Sequence, residues 1–150
     1  MALKNPNVAD RSDTTFFLGP IVVDGAADKT IPTPAPYKKD FITGATVNPQ
    51  RIVKYGTAPA VIEGAAATDL LLGVSTNTAD AVSGESIDVV MFGETTVIAG
   101  AAVAVGALLT SDADGKAVTA AATNRSVGVA LTAAAADGDA ITVFVSLCTA

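Results

Sequence analysis

The chain repeats itself, and the repeat limits the possible folds more than any other feature. GATVNPQRIVK, beginning at Gly44, aligns with GAAVAVGALLT, beginning at Gly100. LLGVS at Leu71–Ser75 aligns with SVGVA at 126–130, and GESIDVV from Gly84 aligns with GDAITVF from Gly138. The glycines recur in the same order at nearly equal steps, as expected of two copies of one supersecondary unit. The reading is of two similar β-modules, about 44–97 and 100–147, packed into one compact β-barrel or sandwich body spanning 44–150.

Within each module, short Val/Ile/Thr-rich runs are separated by Gly, Asp and Asn at spacings of about ten residues, the pattern of an all-β sandwich or barrel. Candidate strands fall at 51–55, 60–63, 70–75, 87–92, 95–98, 107–110, 117–121, 126–131 and 141–147. The clearest hairpin is ALLTSDADGKAVTA, where Asp112, Asp114 and Gly115 supply turn chemistry between two apolar runs. A second turn is expected around Gly93, flanked by Asp88 and Glu94. The alanine run 133–136 suggests a helical turn, too short to be a stable helix alone.

Proline marks off the first third. All seven prolines (Pro6, Pro20, Pro32, Pro34, Pro36, Pro49, Pro59) precede residue 60. Proline fixes φ and removes a ladder donor, so 31–40 should run extended, near polyproline II. Residues 1–43 therefore read as an extended arm with one possible short strand at 19–23. Its apolar residues, Phe16, Phe17, Leu18, Ile21, Val22, Val23, Tyr37 and Phe41, are too few to form a core. They are expected to dock on the body or on another chain.

Half of the sequence is hydrophobic, but much of that is alanine; there are five Phe, two Tyr and no Trp. A chain of 150 residues can bury roughly 68–70% of its unfolded surface, yet this composition implies a thin Val/Ile/Leu core to which neighbouring subunits add burial. The net charge is −6. Seven of the nine basic residues (Lys4, Arg11, Lys29, Lys38, Lys39, Arg51, Lys54) lie in 1–54, while 55–150 carry ten acids against Lys116 and Arg125. An acidic body repels phosphate backbones, so nucleic acid is not an expected partner. The asymmetry either keeps an alanine-rich surface soluble or turns a basic end toward a partner.

Catalysis finds few of its usual groups. There is no histidine, which excludes Ser-His-Asp and Cys-His chemistry and imidazole-held metals. Cys148 is the one cysteine, which excludes a disulfide framework and thiolate zinc sites; it reads as a buried, unreactive thiol. Asp112-Ala-Asp114-Gly115 lacks the remaining ligands of a calcium loop and reads as a turn. Asp88 and Glu94 could be a glycosidase pair only if they converged across a cleft. No catalytic, cofactor or metal residues are expected. The first residues lack a continuous apolar leader, and the longest apolar run, 97–109, is well short of the ~20 residues that span a bilayer. Synthesis in a reducing cytoplasm without a membrane anchor is the expectation.

GATVNPQRIVKYG, LLLGVS, GESIDVVMFG, VIAGAAVAVGALLTSDADGKAVTAA and SVGVALTAAAADGDAITVFVSL together resemble the small capsid decoration (cement) proteins of tailed phages, over residues 44–148. The resemblance implies an all-β protein, often trimeric, on the outer surface of the expanded head, bridging major capsid protein subunits. It carries no catalytic residues. On this reading the shell contacts fall on the arm: Lys4, Arg11, Phe16, Phe17, Ile21, Tyr37, Lys38 and Lys39. The alternative is a non-catalytic binding module, for example for carbohydrate, for which Tyr55, Phe92 and Phe144 are the body's few aromatic residues.

Overall fold

The structure is a computed structural model that describes residues 34–149. Lys4, Arg11, Phe16, Phe17, Ile21 and the possible strand at 19–23 lie outside the described residues. Among the described residues the protein is all-β, without a helix. The strands are β1 (Tyr37–Ile42), β2 (Ile52–Tyr55), β3 (Val61–Glu63), β4 (Leu71–Ser75), β5 (Ser86–Ile98), β6 (Leu108–Ser111), β7 (Ala117–Thr119), β8 (Arg125–Ala130) and β9 (Ala140–Thr149). They follow the order β3-β2-β4-β5-β9-β8-β6-β7, with β1 against β5, and every ladder is antiparallel.

The repeat is literal in this topology. β2 pairs with β3 and β4, and β4 with β5; β6 pairs with β7 and β8, and β8 with β9. Isolated bridges match as well: Thr43↔Val61 with Ala99↔Ala117, and Val47↔Ala81 with Val103↔Ala134. The first bridge of each pair joins the strand that opens a module to the one at its far edge, so each module closes its own five-stranded circuit. Alternating side chains then fill each interior. Phe41, Val47, Val53, Val61, Leu72, Ala81, Ile87 and Val89 form one buried cluster. Their repeat mates Val97, Val103, Leu109, Ala117, Val127, Ala134, Ile141 and Val143 lie in the other. Fully burying a Val, Leu, Ile or Phe side chain stabilises by about 1.5–3 kcal/mol, and Phe41 is the one aromatic in either set.

Two features depart from the expected layout. The expected turn at Gly93 is absent: β5 runs unbroken, its first half pairing with β1 and β4 and its second with β9. Gly93 lies in the left-handed region (φ 115°), and a Cβ there would come within 2.8 Å of the Pro36 Cα. Glycine thus bends the strand from one module into the next instead of ending it. Residues 37–42, assigned to the arm from composition, form β1 and are the repeat mate of 93–98; each module begins one strand earlier than its glycine signature. Lysines and an aspartate along β1 hide this edge strand from a hydrophobicity reading, and Phe41 is its one buried side chain.

The alanine run at 133–136 makes no helical turn, since Ala134 bridges Val103. Cys148 is exposed, contrary to the buried thiol expected. Once β5 has turned away at Gly93, β8 is the one ladder partner left to the end of β9. The ALLTSDADGKAVTA hairpin forms as expected: the Asp112 carboxylate accepts the Asp114 and Lys116 amides at 2.8 and 2.9 Å.

Candidate interaction surface

Among the described residues no cluster of Cys, Asp or Glu is arranged to hold a metal. Asp88 and Glu94 do not face each other across a cleft; both belong to β5, where Asp88 stands opposite Asp40 and Glu94 opposite Phe144. A shallow cavity of about 150 Å³ lies between Leu71, Arg125, Ser126, Leu147, Cys148 and Thr149. No carboxylate lines it.

The surface is more informative. Tyr37, Lys38 and Lys39 are brought together on β1, all exposed. Lys38 pairs with Asp88 at 3.2 Å, and the Lys39 ammonium lies 5.7 Å from the centre of the Phe41 ring. Register sets Tyr37 opposite Phe92 on β5. Phe92 packs edge-to-face on Phe144 of β9, with ring centroids 5.3 Å apart. Phe144 stands opposite Val129 of β8, and Val129 opposite Leu108 of β6. A row of large apolar side chains therefore crosses five strands. Tyr37 and Phe92 are 59% and 55% exposed, Leu108 is exposed, and Val129 and Phe144 are half-buried. Contiguous exposed apolar surface with charges at its rim marks interaction sites.

Sequence reading missed Val129 and Leu108. Their signal was the repeat alignment together with strand parity: on β9, Ile141, Val143 and Val145 point inward, so Phe144 between them must point out.

Asp40 and Asp88 form a cross-strand carboxyl pair beside this row. A hydrogen bond to Asp88 and the repulsion of its charge raise the pKa of Asp40. The hydrogen bond from Asp40 and that from Lys38 lower the pKa of Asp88. Asp40 therefore favours the folded state at low pH, an effect lost as pH rises through its raised folded pKa. Asp88 favours it above the ordinary carboxylate value, an effect lost as pH falls through its lowered one. The opposed signs put the two losses of stability on opposite sides of the ordinary carboxylate value and split the two titrations. In a carboxyl-carbon NMR titration Asp40 should take up its proton at higher pH than Asp88; a shared midpoint would show that the pair is not hydrogen-bonded.

Comparison with known proteins supports the same assignment of fold. A family profile described as phage cement protein matches residues 38–147. The fold is similar to that in a crystal structure of the head fiber gp8.5 N base of bacteriophage phi29. The TM-score is 0.58 at 21% sequence identity, covering 75% of this chain and 95% of that one. No curated protein matches the chain significantly. The family match starts on β1 and ends on β9, spanning both closed modules, and on that ground the chain belongs to the phage cement protein family.

Proposed function

We propose that this protein decorates the outer surface of a tailed-phage head as a homotrimer and stabilises the shell by bridging major capsid protein subunits. The observation that carries this reading, beside family membership, is the exposed apolar row on a body without a catalytic constellation. A surface of that kind serves adhesion. The shell contacts assigned to the arm are Lys4, Arg11, Phe16, Phe17, Ile21, Tyr37, Lys38 and Lys39. Three of these, Tyr37, Lys38 and Lys39, lie on β1, where Tyr37 ends the row. Several modest contacts on one trimer combine through effective concentration.

A carbohydrate-binding module is less well supported. Sugar stacking needs a flat aromatic face, and Phe92 and Phe144 meet at 81°.

Magnitudes separate two kinds of clamp. Exposed ion pairs contribute ~0.2–1 kcal/mol each and are screened over about 8 Å at physiological salt. A fully buried large apolar side chain contributes about 1.5–3 kcal/mol and is barely affected by salt. Expanded heads saturated with the protein should therefore retain it in molar salt, attachment being slowed more than release is hastened. Tyr37→Ala and Phe17→Ala should each release it readily. Quantifying head-bound protein after sedimentation checks this. Stripping by salt alone, with both alanine variants retained like wild type, would point to an electrostatic clamp; no binding to heads at all would remove the capsid reading.

A further inference from the structure

The two modules differ in what covers one face. In the first, Ile52, Val74 and Val90 stand in register across β2, β4 and β5 and are fully buried, with Leu71 beside them. They do not belong to their own module's interior cluster but to the one built around the second module. The second module meets this face with β8 and β9 against β4, and with the end of its β6–β7 hairpin beside Ile52. There the Ile52 amide donates to the Gly115 carbonyl at 2.7 Å, and the Arg125 amide to the Ala67 carbonyl at 2.9 Å. Ser111 lies so close to Gly64 that a Cβ would overlap it.

The repeat sets Leu108, Val129 and Phe144 at the positions of Ile52, Val74 and Val90. They too stand in register, across β6, β8 and β9. Among the described residues, no third module follows to cover this row, and it is exposed or half-buried. The complementary surface is repeated as well. The first-module positions that match Ser111 and Arg125 are Tyr55 and Leu70, which are 48% and 64% exposed. Where the contact within the chain uses a serine and an arginine, its unoccupied twin presents two large apolar side chains.

We propose that Leu108, Val129 and Phe144 of one copy pack against Tyr55 and Leu70 of a second copy, repeating between chains the contact that joins the two modules within a chain. This deepens the homotrimer reading and rests on it. Such a contact is head-to-tail: each chain offers one surface and receives on the other, so the assembly closes as a ring when the rotation allows. Apolar residues on both surfaces are what an association between separate chains requires, because it must offset the lost rotational and translational freedom that a covalent link spares the two modules.

Sedimentation velocity on the full chain tests this, at about 100 μM, above the μM-to-pM range of standard-size interfaces. Wild type should sediment as an oligomer. Leu108→Glu and Leu70→Glu, both at exposed positions, should each sediment as a monomer that melts cooperatively, and the milder Leu108→Ser and Leu70→Ser pair should weaken assembly at least tenfold. An equimolar mixture of the two glutamate variants should form a dimer, because each keeps one intact surface. A monomeric wild type overturns the proposal. So does Leu70→Glu assembling normally while Leu108→Glu does not, since the row would then meet itself. Head binding is scored separately. An oligomer that ignores heads removes the capsid reading and leaves the contact standing, whereas a monomer that coats them does the reverse.

Discussion

Gly73→Ala and Gly128→Ala are each expected to destabilise the protein by about 3 kcal/mol or more, at the upper end of what overpacking a core costs. A Cβ at Gly73 would lie on the carbonyl oxygen of Val90, and one at Gly128 on that of Phe144. Neither obstacle is a flexible side chain; each is the backbone of the neighbouring strand in a ladder. Relief therefore requires β4 to separate from β5, or β8 from β9, and those ladders carry the innermost residues of the cores. For a chain of this length the corresponding fall in Tm is roughly 6–12 °C. Gly138→Ala is the control. Its Cβ would meet open space, and only the left-handed backbone (φ 95°) opposes it, at roughly 1–2 kcal/mol. Thermal melts of the three variants check this. Gly73→Ala and Gly128→Ala melting within about 2 °C of wild type would mean that the strands are not so closely spaced.

The second large effect comes from where the chain is cut. A protein beginning at Pro34 should fold cooperatively and bind heads far more weakly than the full chain, because it keeps β1 and loses Phe16, Phe17 and Ile21. A protein beginning at Gly44 should not fold cooperatively. Its β5 would lose the Tyr37–Ile42 ladder, and the first module would lose Phe41, whose removal alone costs about 3–5 kcal/mol. It would also lose Thr43, whose amide donates to the Glu85 carbonyl at 2.8 Å and whose carbonyl receives the Gly84 amide at 2.8 Å. Against a total stability of about 5–15 kcal/mol, those losses are decisive. Circular dichroism melts and head sedimentation of both truncations separate the outcomes. Equal head binding by the Pro34 protein and the full chain would reduce the arm to a connector.

The all-β class, the two modules and eight of the nine strands' cores were legible because apolar alternation and recurring glycines are local signals. Gly73 and Gly128 align in the sequence for a structural reason: each stands where a neighbouring carbonyl leaves no room for a Cβ. β1 was not legible, because an edge strand with one buried residue has no period to read. The continuity of β5 was hidden for a related reason, as a glycine in a strand and a glycine in a turn look alike until the partners of both flanks are known.

Composition by itself determined that the interior is built from small aliphatic side chains and that histidine chemistry is absent. Which aliphatic residues stay outside was decided by tertiary structure alone. Val74 and Val129 occupy the same place in the repeat, yet one is fully buried and the other half-exposed. The difference lies in whether another module packs over that face, and that is a relation between distant parts of the chain which no local pattern encodes.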